Sequence, residues 1–106
     1  MAKPVQLRQL AADDIDAALS YYQREAGESL AIRFIDALEA ELGRISQHPL
    51  IGSLRYSYEL DIPGLRSWPL EKFPYIVFYA DRAEYVDVWR VLHARRDIPA
   101  SLALPD

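Results

Sequence analysis

Two stretches of helical periodicity, separated by a single glycine, constrain the fold of this chain more than any other feature. The first follows Asp13 and Asp14, whose short acidic side chains are favoured at a helix N-terminus. Its apolar residues recur at the spacing of one helix face, and they are Ile15, Ala18, Leu19 and Tyr22. Because glycine commonly ends a helix, we expect this helix to run to about Ala26 and to stop at Gly27.

The second stretch predicts a longer helix over Glu28–His48. Its apolar residues again recur at steps of three and four, and they are Ile35, Leu38, Leu42 and Ile45. Pro49 ends the helix, because proline disfavours the helical conformation of the residue before it. His48 suits that C-terminal position, where the helix dipole favours positive charge. Two helices joined at one glycine indicate an antiparallel hairpin.

The rest of the chain has the alternating or continuous apolar patterns of strands. These patterns predict four strands, over Val5–Leu10, Leu65–Leu70, Tyr75–Ala80 and Tyr85–His93. Pro69 indicates that the second of them lies at an edge of the sheet, since proline cannot donate to a neighbouring strand. The run Tyr75–Ala80 is almost entirely β-branched or aromatic, which is typical of a central strand.

The order β-α-α-β-β-β predicts one α+β domain over residues 1–106, with the helical hairpin packed on one face of a small, mainly antiparallel sheet. Alternation along the last strand divides its side chains between the two faces. One set is Val86, Val88, Arg90 and Leu92, and the other is Tyr85, Asp87, Trp89, Val91 and His93. We expect the face away from the hairpin to stay partly open and to bind a partner.

The composition argues against several classes of function. The chain has no cysteine and only two histidines, which are far apart, so neither a metal site nor a cofactor is expected. It contains no glycine-rich phosphate loop and no G-x-S-x-G nucleophile motif. A net charge of −4 argues against broad, non-specific binding of nucleic acid. Direct sequence-specific binding of nucleic acid is not expected either. No apolar run resembles a signal peptide or a membrane span, which favours a cytoplasmic location.

A basic segment after the last strand is the main candidate contact site. His93, Arg95 and Arg96 lie in the sequence LHARRD, which suits an acidic partner. The alternative is a solvated turn in which Arg96 and Asp97 neutralise each other. Arg66 has the same two interpretations, a partner contact or a side chain that faces water. Most aromatic residues are expected in the core, with one or two exposed as interface anchors.

Three ordered motifs resemble the ParE/RelE superfamily of bacterial type II toxins. They are HPLIG after the second helix, then PGLRSWPLEKFPYIVFY, and finally VDVWRVLHARRDIPASL, and the resemblance covers about residues 4–102. It favours the ParE branch, which implies a toxin that binds DNA gyrase and a ParD-like antitoxin in a hetero-oligomer. The antitoxin's C-terminal segment would fold on binding, by docking a helix and sometimes by adding a strand to the sheet edge.

The resemblance also separates the ParE branch from RelE-type nucleases, which cleave messenger RNA in the ribosome. Those nucleases carry an arginine directly after the central-strand tyrosine and a tyrosine soon after the last strand. Here Ile76 follows Tyr75, and residues 98–106 contain no tyrosine. Two alternatives stay open: a reduced nuclease site of Arg66, His93 and Arg95, and a non-toxic member that only binds a partner.

For the ParE branch, the matching motifs imply a set of residues that contact the target or the antitoxin, without a catalytic role. This set is Arg66, Trp68, His93, Arg95, Arg96, Ile98, Leu102 and Leu104.

Overall fold

The first half of the chain forms two long helices, as its periodicity predicts, in the computed structural model, which describes residues 2–103. Helix α1 spans Gln9–Ala26 and helix α2 spans Glu28–Gln47. Gly27 joins them with a φ of 86°, a left-handed conformation that favours glycine. His48 caps the end of α2. The predicted boundaries at Gly27 and before Pro49 are therefore confirmed.

The beginning of α1 differs from the prediction. Strand β1 is confined to Val5–Leu7, and α1 begins at Gln9, so Asp13 and Asp14 lie inside the helix and do not cap it. The apolar face of α1 extends back to Ala11, which is completely buried. The helix thus gains a further buried position by starting earlier. The cap interpretation of the two aspartates was wrong.

The remaining strands join β1 in one four-stranded sheet. They are β2 (Leu65–Pro69), β3 (Tyr75–Asp81) and β4 (Val86–His93), in the spatial order β1-β4-β3-β2. Neighbours β2, β3 and β4 are antiparallel, whereas β1 runs parallel to β4. This arrangement confirms the predicted α+β fold with a mainly antiparallel sheet. It also confirms that the strand containing Pro69 lies at an edge.

A β-bulge in β4 breaks the predicted alternation of its side chains. The pairing skips Trp89, because consecutive residues of β3 lie opposite Arg90 and Val88. An extra residue on one strand turns the following side chains to the other face. Val91 therefore packs in the same core as Val88, and Leu92 packs on the opposite face. The predicted division of faces was therefore wrong for Val91 and Leu92, whereas Trp89 lies opposite to Val88 as predicted.

Two hydrophobic cores lie on the two faces of the sheet. The first lies under the helical hairpin and includes Phe34, Ile45, Val77 and Tyr79. The second is covered by two short helices, α3 (Arg55–Leu60) and α4 (Ile98–Leu102). It consists of Leu65, Phe78, Leu92, Ile98 and Leu102, with partly buried Tyr56, Leu60, Ile62, Ile76 and Trp89 around them. In the described part of the chain this face is therefore largely covered, and the prediction of an open face was wrong.

A buried aspartate ties β1 to β4 at the β1 side of the sheet. Asp87 accepts two hydrogen bonds of 3.0 Å from Arg8, one on each carboxylate oxygen. Its Oδ2 also accepts from Arg82 at 3.0 and 3.2 Å and from the Trp89 indole at 3.0 Å. Burial alone raises the pKa of Asp87, but the hydrogen bonds from Arg8, Arg82 and Trp89 outweigh it and hold the pKa below its ordinary value.

This depressed pKa predicts that Asp87 contributes to acid sensitivity. A carboxylate whose pKa is lower in the folded state stabilises the fold above its unfolded pKa, about 3.9. That stability is lost as the pH falls through the folded pKa. We expect Asp87→Asn to be less stable than the unmodified chain at pH 7, and the difference in urea midpoint to shrink towards about pH 3. Asp16→Asn, at an exposed position of α1, is the control and should show no such change. A difference that is constant with pH would contradict this role.

The described helices include none that combines the length and the apolar character needed to cross a membrane.

Candidate functional site

Residues from two of the three sequence motifs meet at one point beside the end of α2. The Tyr79 hydroxyl donates to the Pro49 carbonyl at 2.7 Å and accepts from the Gly52 amide at 2.9 Å. Nη1 of Arg66 donates to the carbonyls of Leu50 and Gly52, at 3.1 and 2.9 Å. We call Gly52, Arg66 and Tyr79 the Tyr79 cluster. It fixes the backbone of the loop over residues 49–52.

Burial of Tyr79 explains how the Tyr79 cluster fixes the loop over residues 49–52. Tyr79 is completely buried, and a buried hydroxyl costs free energy unless it is hydrogen-bonded. Burial raises the pKa of Tyr79, although the Gly52 hydrogen bond and the Arg66 charge oppose this shift, so the phenol stays protonated. A Cβ atom at position 52 would lie 2.7 Å from the Tyr79 hydroxyl. Gly52, Arg66 and Tyr79 therefore fix the conformation of the loop over residues 49–52 by contacts within the chain.

The loop that the Tyr79 cluster holds exposes two apolar side chains. Leu50 is 65% exposed and Ile51 is 37% exposed. Exposed neighbouring apolar residues on a fixed loop are typical of contact surfaces, because little conformational entropy is lost on binding. Leu50 and Ile51 lie within the HPLIG motif but were not among the predicted contact residues.

A second group of side chains surrounds an open cleft at the other end of β3. Tyr75 pairs with His93 in the sheet, and their ring centroids are 5.2 Å apart in an edge-to-face contact. The cleft has a volume of about 510 Å³ and is also lined by Tyr21, Tyr22 and Arg96. Nδ1 of His93 accepts from the Arg95 amide at 3.0 Å, so the proton of a neutral ring lies on Nε2.

Burial keeps Tyr22 and Tyr75 of this cleft protonated. Burial raises the pKa of Tyr75, and the neighbouring Tyr21 and Asp14 raise it further. Burial likewise raises the pKa of Tyr22, with smaller contributions from Tyr75 and Tyr21. A tyrosine with a raised pKa is a poor general base near neutral pH. The cleft therefore offers hydrogen-bond donors and aromatic faces rather than an activated base.

The residues of the nuclease alternative do not come together. Arg66 lies opposite Tyr79, whereas His93 lies opposite Tyr75, which is four residues away along β3. At about 3.3 Å per residue these positions are roughly 13 Å apart. The Arg66 guanidinium is also directed at two backbone carbonyls of the loop over residues 49–52. Arg66, His93 and Arg95 thus do not converge on one phosphate-sized site.

The other motif-derived contact residues fall into two groups. Arg95 and Arg96 are exposed on the turn after β4. Trp68 is partly buried and donates its indole N–H to Glu41 at 2.9 Å, while Ile98 and Leu102 belong to the second core. Leu104 lies outside the described residues. Within residues 2–103, no cluster of three or more His, Asp or Glu residues is placed to hold a metal ion.

A family model described as the ParE toxin of type II toxin-antitoxin systems, parDE, matches residues 5–98. The chain belongs to the ParE toxin family. The matched segment of this ParE family member runs from β1 to the first residue of α4, so it includes the Tyr79 cluster and the cleft at His93. The family match thus confirms the resemblance read from the three motifs.

The fold of the ParE family member is also found in a solved structure titled "Chromosomal ParDE TA system from P. aeruginosa". The two chains superpose with a TM-score of 0.72 and share 21% sequence identity, over 87% of this chain and 96% of the other. At that identity the likeness shows a common fold. No curated protein sequence matches the chain.

Proposed function

We propose that this ParE family member is a toxin that inhibits DNA gyrase by binding to it, and that a ParD-like antitoxin neutralises it. The observation that carries the proposal is where the motif residues lie in the fold and what they contact. Arg66 and Tyr79 hold the loop over residues 49–52, and they lie roughly 13 Å along the sheet from His93. This separation supports a toxin that acts by occupying its target rather than by cleaving a phosphodiester. Gyrase acts on the chromosome, so the proposal implies a cytoplasmic protein.

The exposed turn after β4 is the proposed contact with gyrase. Arg95 and Arg96 project from this turn, next to the cleft that Arg96 and His93 line. Exposed charges of one sign steer association and select a partner of opposite charge. This protein carries a net charge of −4, so a local pair of arginines favours an acidic patch on the target over nucleic acid.

The family supports an antitoxin as the partner, and the exposed surfaces indicate where it would bind. The solved relative is named as a toxin-antitoxin system, and this chain has the same fold. Ile98 and Leu102 are already buried, so we assign antitoxin contact to exposed apolar residues such as Leu50 and Ile51. A partner that binds the folded chain but not the unfolded chain raises the stability of the fold, by about 2.7 kcal/mol at a partner concentration of 100 times Kd.

We also propose that residues 1–106 fold as one domain.

The test of the gyrase proposal is inhibition of supercoiling by the purified chain. The unmodified protein should block supercoiling by purified gyrase and trap cleaved DNA. The double variant Arg95→Glu/Arg96→Glu should need at least about tenfold more protein for the same inhibition, because two favourable charges become repulsive. Arg24→Glu/Arg33→Glu, the same charge change at exposed positions on the hairpin, is the control and should inhibit normally. Folded protein that leaves supercoiling unaffected would contradict the proposal.

A further inference from the structure

The three residues that follow β4 each donate a backbone hydrogen bond that fixes the turn. The Ala94 amide donates to the Pro74 carbonyl at 2.8 Å, and the Arg96 amide donates to the His93 carbonyl at 2.9 Å. The Arg95 amide donates to Nδ1 of the His93 ring at 3.0 Å. The directions in which the side chains of Arg95 and Arg96 leave the turn therefore depend on these three bonds.

The bond to the His93 ring is the one of the three that depends on protonation. A carbonyl oxygen accepts a hydrogen bond whatever the pH, whereas an imidazole nitrogen accepts only while the ring is neutral, because an imidazolium carries a proton on both nitrogens. Histidine is the side chain whose charge ordinarily changes between about pH 5 and pH 8. Protonation of His93 would therefore direct an N–H group at the Arg95 amide, and this hydrogen bond would be lost.

A protonated His93 would also face positive charge. Arg96 lines the same cleft as His93, and Arg95 is exposed on the same turn. The other titratable or charged groups of the cleft and the turn are Asp14, Tyr21, Tyr22, Tyr75 and Asp97. Burial raises the pKa of both Tyr22 and Tyr75, so these two phenols stay neutral.

The two carboxylates among these groups have other partners. Both oxygens of Asp14 accept hydrogen bonds from Arg90, at 2.7 and 2.8 Å. Oδ1 of Asp97 accepts from the Ala100 amide at 3.2 Å, at the start of α4. Each carboxylate is thus held within the chain, and a positive ring at position 93 would repel the two arginines of the turn.

We propose that His93 is a positioning residue, whose neutral ring holds Arg95 and Arg96 in the conformation that binds gyrase. The inference rests on the proposed function and adds a regulation to it, since acidification would release the turn. His93 acts through the two arginines and does not itself supply the charge that the target recognises.

The direction of the pH dependence separates this role from a direct contact. A third cation against an acidic patch would tighten binding when it becomes protonated. A positioning role has the opposite sign, because only chains with a neutral ring are competent to bind. A typical histidine is neutral in roughly a quarter of the molecules at pH 6, which corresponds to a Kd about threefold above its value at pH 8.

Nuclear magnetic resonance of the isolated chain tests the hydrogen bond itself. At pH 8 the ¹⁵N shifts of the His93 ring should show a proton on Nε2 and none on Nδ1. The protection factor of the Arg95 amide should fall as the ring gains its second proton. The Ala94 amide, which is bound to a carbonyl, is the reference and should keep its protection. A neutral ring with its proton on Nδ1 would overturn the inference, whether or not gyrase is the target.

Two substitutions at position 93 test the functional part. Asparagine places an amide oxygen one bond from Cγ, as Nδ1 is in histidine, so it can accept from the amide two residues on. Glutamine carries its oxygen one bond further out and cannot form the same contact. We expect His93→Asn to bind purified gyrase about fivefold more tightly than His93→Gln. Between pH 8 and pH 6, the Kd of the unmodified chain should rise about threefold relative to that of His93→Asn, which does not titrate in this range.

The outcomes separate the inference from the proposed function. Urea unfolding of both variants checks that they are folded. Equal affinities of His93→Asn and His93→Gln, or binding by the unmodified chain that tightens on acidification, would overturn the positioning role and leave gyrase as the target. An unmodified chain that does not bind gyrase at either pH would overturn both.

Discussion

Replacing Arg90 by alanine is expected to destabilise the chain by about 3–5 kcal/mol, because it leaves a buried carboxylate without its partner. Nε and Nη2 of Arg90 donate to the two carboxylate oxygens of Asp14, at 2.7 and 2.8 Å. Nη1 donates to the Ser101 carbonyl at 3.0 Å, so one guanidinium links α1, β4 and α4. Both side chains of the ion pair are only 7% exposed. In urea, this loss corresponds to a midpoint lower by roughly 2 M, at about 2 kcal/mol per M.

Two further variants separate this ion pair from a general effect of removing arginine. Arg24→Ala, at an exposed site near the end of α1, should change the free energy of unfolding by less than about 0.5 kcal/mol. Asp14→Leu combined with Arg90→Met removes both charges, and it should recover part of the loss because no buried charge is left alone. A double variant that is less stable than Arg90→Ala would refute this account.

Gly52→Ala is expected to lower the free energy of unfolding by about 2–4 kcal/mol, through crowding and lost hydrogen bonds. The added Cβ would lie 2.7 Å from the Tyr79 hydroxyl, 2.9 Å from its Cε1 atom and 3.0 Å from the Arg66 Cβ. Since Tyr79 is completely buried, its ring has no free space into which it can move. The bonds of its hydroxyl to Pro49 and Gly52 would be distorted or broken.

The matched control for Gly52 is the glycine within α2. A Cβ atom on Gly43 would meet nothing within 4 Å. Alanine is favoured over glycine inside a helix, so Gly43→Ala should stabilise the chain by about 0.5–1 kcal/mol. Adding Tyr79→Phe to Gly52→Ala removes the nearest clashing atom, and the two changes should then cost less than the sum of their separate effects. Strict additivity would mean that the hydroxyl does not set the cost at position 52.

The fold was predictable from the sequence where one local pattern decided the structure. Gly27 and Pro49 bound the two helices by their own backbone geometry, and the apolar run at Tyr75 marks an interior strand. The bulge at Trp89 was not predictable in this way, because it depends on the pairing of two strands. The helices α3 and α4 were not predicted, for a related reason. They are short, and most of their stability comes from the second core that they cover.

The candidate site was predictable in its residues but not in their roles. Arg66 belongs to a recognisable motif, yet only the three-dimensional structure shows its guanidinium bound to the loop over residues 49–52. Asp14 was interpreted as a helix cap because acidic residues near a helix start usually are. Its partner Arg90 lies 76 positions away, and no local pattern connects the two. Because contacts of this kind are long-range, the presence of a residue in a motif does not by itself reveal its role.

The measurement that tests the central claim most directly is made in cells that express the chain without an antitoxin. Both covalent gyrase–DNA complexes and the integrity of messenger RNA are followed in the same culture after induction. We expect trapped gyrase on cleaved DNA to accumulate while transcripts stay intact in the first minutes. Rapid transcript cleavage at ribosomes without trapped gyrase would contradict the claim that this ParE family member acts by binding and not by cutting RNA.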